Sequence, residues 1–83
     1  MITTSKERAI ELAREYRSMR ELNRPECSDY LVVILESEIA GYNYSMRYAS
    51  STPPGTISVD MNNHVFLAVG CKNDNATHWI VME

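Results

Sequence analysis

The chain has 83 residues, eight Lys/Arg against eleven Asp/Glu, and a formal net charge of −3. That length holds one domain with one modest core. The acidic balance argues against an electrostatic nucleic-acid binder, which needs a basic face, and no apolar run approaches the ~20 residues of a membrane span.

Charge is concentrated at the front: residues 1–26 hold six of the eight Lys/Arg and five of the eleven Asp/Glu. The opening residues, MITTSKER, turn charged at once, so no secretory leader is expected. A cytoplasmic protein with reduced thiols at Cys27 and Cys71 is the expectation. Thr4 reads as a helix N-cap, with Glu7 closing a capping box. Ala9, Leu12, Ala13, Tyr16, Met19 and Leu22 then recur at helical spacing, an apolar stripe on one face. Acids lead the segment and arginines trail it, the order that suits a helix dipole. Pro25 disfavours helical backbone at Arg24, so the first helix is expected at about 4–23.

Residues 30–35, Tyr-Leu-Val-Val-Ile-Leu, form a continuous apolar run that periodicity alone does not assign. Its β-branched residues favour a strand. Ser28 as N-cap, Asp29 in a first turn and Gly41 just past the end favour a helix. These end signals tip the reading to a helix at about 28–40, with a strand as the alternative.

After Gly41 the period changes to two. Tyr42, Tyr44, Met46 and Tyr48 alternate with Asn43, Ser45 and Arg47, a strand with one aromatic face. Residues 50–55 are Ser, Thr, Pro and Gly, a loop by composition. Ile57, Val59 and Met61 form one arm of a hairpin, and Val65, Leu67 and Val69 the other, around a turn at Asn62-Asn63-His64. Apolar faces apolar when Met61 pairs with Val65 and Ile57 with Val69. His78–Met82 is the last strand, with Trp79 and Val81 expected on the face of Leu67 and Val69.

The resulting fold class is α+β: one or two N-terminal helices packed on an antiparallel meander of about four strands, a single compact domain over 1–83. The stripe of the first helix covers one sheet face. The other face carries Phe66, Ile80 and Met82, and self-association into a homodimer is expected there unless the second helix covers it.

No stretch carries a catalytic, cofactor or metal signature. His64, His78, Asp60 and Asp74 lack ligand spacing, and a meander sets the two histidines at opposite ends of the last strand pair. Neither Cys27 nor Cys71 has the cationic surroundings that activate a thiol. Glu36 and Glu38 read as solvated side chains. The chain is therefore expected to be no enzyme and to need no cofactor.

Recognition remains. Tyr42, Tyr44 and Tyr48 are amphipathic aromatics of the kind enriched at interface hot spots. Arg47 on the opposite face of that strand, and Arg17, Arg20 and Arg24 at the helix end, are further candidate contacts. The reading is a small cytoplasmic protein-binding module that inhibits or regulates a larger protein partner by occupying its surface. Compact acidic domains without motifs are a form that phages and mobile elements use against host defence machinery such as CRISPR; that association rests on size and composition alone. The alternative is an oligomer that binds a small molecule, or works as a minimal enzyme, in a pocket between subunits.

Overall fold

The computed structural model describes residues 4–21, 30–43 and 48–82. One helix, α1 (Lys6–Met19), packs on a five-stranded antiparallel sheet. The strands are β1 (Leu31–Leu35), β2 (Glu38–Asn43), β3 (Ile57–Val59), β4 (Val65–Val69) and β5 (His78–Met82). Their spatial order is β2-β1-β3-β4-β5. This is the α+β arrangement the sequence suggests. Among the described residues, no helix is long and apolar enough to cross a membrane.

Ser5 rather than Thr4 caps α1; its hydroxyl accepts from the Arg8 amide at 3.2 Å. The Thr4 hydroxyl is buried and lies 2.9 Å from that of Ser37, which ties the helix start to the β1–β2 turn. The buried line of the helix is Ala9, Ala13 and Arg17. Half-buried Ile10, Leu12 and Tyr16 flank it. Met19, on the expected stripe, lies off this buried line and is 75 % exposed. The helix closes with Arg20 as its cap and Glu21 at φ 57°, short of the expected end. Leu22, Arg24 and Pro25 lie outside the described residues.

The expected second helix is not formed in the described part of 28–40. Residues 31–43 are a β-hairpin, β1 running into β2. The β-branched run prevails because a strand buries it on both sides, as continuous apolar strands require. Val32 and Ile34 face α1, while Val33 and Leu35 line the opposite side. Ser28 and Asp29, which carried the helix start signal, lie outside the described residues. The turn is Glu36-Ser37, with φ of 53° and 66°. Two consecutive positive φ values are the type I′ geometry of a two-residue hairpin loop, which Asn-Gly usually supplies. Past the turn, Val33 pairs with Gly41 and Ile34 with Ile39, so Ala40 is the extra residue of a β-bulge. Gly41 holds φ 142° there, a backbone conformation that side-chain-bearing residues rarely adopt.

The main core lies between α1 and the sheet. Val32, Ile34, Ile57, Val59 and Val65 are its largest fully buried side chains, each contributing roughly 1.5–3 kcal/mol by burial. The β3–β4 hairpin keeps the expected faces but moves two residues in register: Val59 pairs with Val65 and Ile57 with Leu67. Asp60 is the reason. Its carboxylate accepts from the Asn62 and His64 amides at 2.9 and 2.8 Å, and its own amide donates to the His64 carbonyl at 3.1 Å. These bonds draw Met61 out of the ladder and into the turn, where Asn63 takes φ 66°.

The faces of β5 are the reverse of those expected. Ile80 pairs with Leu67 and Met82 with Val65, so both lie on the helix side. Trp79 pairs with Ala68 and Val81 with Phe66, on the helix-free side. Because β5 is apolar on both faces, alternation alone does not set its phase, and a one-residue slip inverts it. The connection sets it. Lys72 and Asn75 bridge around Asn73-Asp74, whose φ values are 54° and 69°. The Thr77 amide then donates to the Val69 carbonyl at 2.8 Å. Gly70, at φ 82°, approaches the Thr77 side chain so closely that a Cβ would collide with it.

Candidate functional site

The helix-free side of the sheet is only partly covered. Residues 48–56 return across it as a strap that contains a short 3-10 turn, Ala49–Ser51. Ala49 packs with Ala68, Ala76 and Trp79 in a second, smaller core. The strap is stitched along its length. The Thr52 hydroxyl donates to the Tyr48 carbonyl at 3.0 Å, and the Thr56 hydroxyl to the Pro53 carbonyl at 2.8 Å. The Ala76 amide donates to the Thr52 carbonyl at 2.8 Å.

Between the strap and the β1–β2 hairpin a groove of about 320 Å³ stays open. Val33 and Leu35 of β1 give it apolar walls, and Ser58 of β3 a hydroxyl. Thr52 and Pro53 enter from the strap, Trp79 from β5. Gly41 and Asn43 close the β2 side, where a Cβ on Gly41 would meet nothing within 4 Å. The described lining holds no carboxylate, imidazole, thiol or amine; it offers apolar surface, hydroxyls and an amide. Exposed Glu36 and Glu38 stand beside Leu35, at the turn end of the same hairpin.

The residues singled out in the sequence are not brought together. Tyr42 borders the groove between Gly41 and Asn43, but its ring faces the helix side, where it stacks on Tyr30 at 5.4 Å between centroids and meets Tyr16 at 6.4 Å. Tyr48 is 84 % exposed and precedes the 3-10 turn rather than continuing β2. Of the aromatic strand expected over 42–48, β2 covers Tyr42 and Asn43, and residues 44–47 lie outside the described residues. Tyr44 and Arg47 lie outside the described residues. Arg17 is only 4 % exposed, with its guanidinium donating to the Tyr30 carbonyl, so it braces the helix rather than meeting a partner. Its place on the Ala9–Ala13 line, four residues further, explains the burial. Arg20 is exposed, with its guanidinium 5.8 Å from the Tyr16 ring centroid. Arg24 lies outside the described residues. Phe66 does not share a face with Ile80 and Met82.

Polar clusters elsewhere are small. Among the described residues, no group of three or more His, Cys, Asp or Glu could hold a metal ion. His64 and His78 stand at opposite ends of β4, and His64 Nδ1 is 2.8 Å from Asp60 Oδ2 within the turn. Cys71 is free and exposed, while Cys27 lies outside the described residues.

Val33, Leu35 and Trp79 line the groove without being among the residues that the sequence singles out. The first two lie in the run whose end signals favour a helix, and alternation alone puts Trp79 on the covered face. The single Trp at the start of the last strand was the available signal, since indoles are favoured where an apolar surface meets a polar rim. Compared with known protein families, with curated proteins and with solved structures, the chain matches none.

Proposed function

We propose that the chain is a protein-binding module that acts by occupying a surface of a larger partner, and that the helix-free groove is its docking site. The observation that carries this reading is the uneven cover of the sheet. One face is covered over its centre by α1, while the other keeps Val33, Leu35 and Trp79 at an open groove with hydroxyls around them. An apolar floor with a few fixed polar groups binds by burial and orients by hydrogen bonds. At about 320 Å³ the groove is at the small end for a ligand site and suits one or two large side chains of a partner segment. Glu36 and Glu38 beside it favour a segment whose apolar anchor is flanked by Lys or Arg. Exposed Tyr48, the first residue of the strap, is suited to the rim of the same contact.

The test uses the partner isolated with the wild-type chain and then purified. Affinity is measured for Leu35→Lys, Trp79→Ala and Tyr48→Ala, with Glu15→Lys on the exposed side of α1 as control. Circular dichroism checks each fold. A hot-spot loss of about 2 kcal/mol corresponds to roughly thirtyfold weaker binding for Leu35→Lys and Trp79→Ala. Glu15→Lys should bind as the wild type does. Unchanged affinity in folded Leu35→Lys and Trp79→Ala would remove the groove from the interface.

A further inference from the structure

Ser58 stands on β3, the middle strand of the sheet. Its chain neighbours Ile57 and Val59 are buried in the main core under α1, so alternation turns Ser58 to the groove. Its cross-strand partners are Val33 and Phe66. Packing alone would favour an apolar side chain between those two. Ser58 is 3 % exposed, and it lines the groove. The strap threonines of the same lining keep their hydroxyl hydrogens inside the strap, Thr52 on the Tyr48 carbonyl and Thr56 on the Pro53 carbonyl. Toward a ligand these two can only accept. The Ser58 hydroxyl, by contrast, makes no hydrogen bond among the described residues. It is not wholly occluded, and the groove is where it opens. A ligand that fills the groove closes that opening. If the ligand is wholly apolar, it leaves a dry and unpaired hydroxyl, which is the costly state of a polar group.

We infer that the side chain seated in the groove is a tyrosine of the partner segment, and that Ser58 is the residue that selects it. This deepens the docking reading above and rests on it. The chemistry of the lining narrows the choice. Val33, Leu35 and Trp79 match a large apolar body. The described lining holds no carboxylate to pair with a buried cation, so lysine and arginine belong outside, near Glu36 and Glu38. Leucine and phenylalanine fit the walls but bring nothing to Ser58. Tyrosine and tryptophan join an apolar body to a polar tip. An indole N–H only donates, so it leaves the Ser58 hydrogen unused. A phenol accepts that hydrogen and still has its own to give to an acceptor such as a strap threonine.

The probes are two blocked tripeptides, acetyl-Lys-Tyr-Lys-amide and acetyl-Lys-Phe-Lys-amide. They differ by one hydroxyl and carry the flanking charges. Each is titrated into isotope-labelled protein while the amide resonances of Val33, Leu35 and Ser58 are followed. The tyrosine peptide should move these resonances and bind about tenfold tighter than the phenylalanine peptide, the factor for one hydrogen bond made against one hydroxyl left dry. Ser58→Ala removes no internal hydrogen bond, so its urea midpoint should not fall. In that variant the preference should vanish, the tyrosine peptide binding less tightly and the phenylalanine peptide more. If Ser58→Ala fails to fold, Ser58→Cys, close in shape and only a weak donor, takes its place with the same expected outcome. Equal affinity of the two peptides for the wild type would overturn the assignment of tyrosine. So would a preference that survives in the folded variant, or groove resonances that neither peptide moves. The docking site itself is decided separately, by the partner affinity of Leu35→Lys. A loss there, with equal binding of the two peptides, keeps the groove as a docking site and rejects only the tyrosine.

Discussion

Glu36 and Ser37 form the β1–β2 turn against their own preference. Both hold positive φ, where a side-chain-bearing residue loses about 1–2 kcal/mol relative to its usual conformations. Asn tolerates this region through its short polar side chain. Glu36→Asn should therefore stabilise the protein by about 0.5–1 kcal/mol, read as a higher urea midpoint at an unchanged slope. Ser37 is best left in place, because its hydroxyl meets that of Thr4 across the helix–sheet boundary. A lower midpoint for Glu36→Asn would mean that the Glu36 side chain holds a stabilising contact. The same two residues explain why the hairpin was illegible: a type I′ turn made of Glu-Ser carries no turn signature, whereas Asn63, in the β3–β4 turn, announced its positive φ by its identity.

The elements differ in how clearly the sequence specifies them. α1 was legible because its buried positions recur every three or four residues and its charges follow the dipole. Its ends were less so, since Thr4 and Ser5 are equally good caps and only the contact between Thr4 and Ser37 decides between them. β3 and β4 were legible as strands, but their register was set by the Asp60 side chain, a local competition that alternation does not encode. β1 was misread because a continuous apolar run fits a helix or a doubly buried strand equally well. The seat of α1 on the sheet is narrow. Ala9 and Ala13 are 0 % and 2 % exposed, so this contact has no room for longer side chains. Ala13→Leu should destabilise the fold by about 1–3 kcal/mol despite the higher hydrophobicity of Leu. Thermal and urea unfolding measure this; a gain in stability would show a cavity beneath the helix. Leu12→Ala, at a half-buried flank, should cost less than the ~2–5 kcal/mol of a fully buried leucine.

At the scale of the whole molecule, the asymmetry of the sheet organises everything else. One face has a helix over its centre, and the other is half closed by a strap that leaves the groove. One edge is blunted by charge and a bulge, and the other is regular and apolar. The α+β class was readable from the order of periodicities along the chain. The groove was not, because it depends on which face each residue of β5 takes and on where residues 48–56 return. Both involve the connection at 70–77, through the Thr77 amide on Val69 and the Ala76 amide on Thr52, rather than the strands themselves.

Trp79 is the only tryptophan in the chain, and it stands both on the groove wall and in the edge strand. The protein thus carries one intrinsic optical reporter on the wall of its proposed docking site. Indole emission moves to shorter wavelength as water is excluded from the ring, so no attached dye is required. A blue shift on adding partner at fixed protein concentration reports entry into the groove, and Leu35→Lys should abolish it. An emission maximum that stays constant through the titration would mean that the contact does not reach the indole.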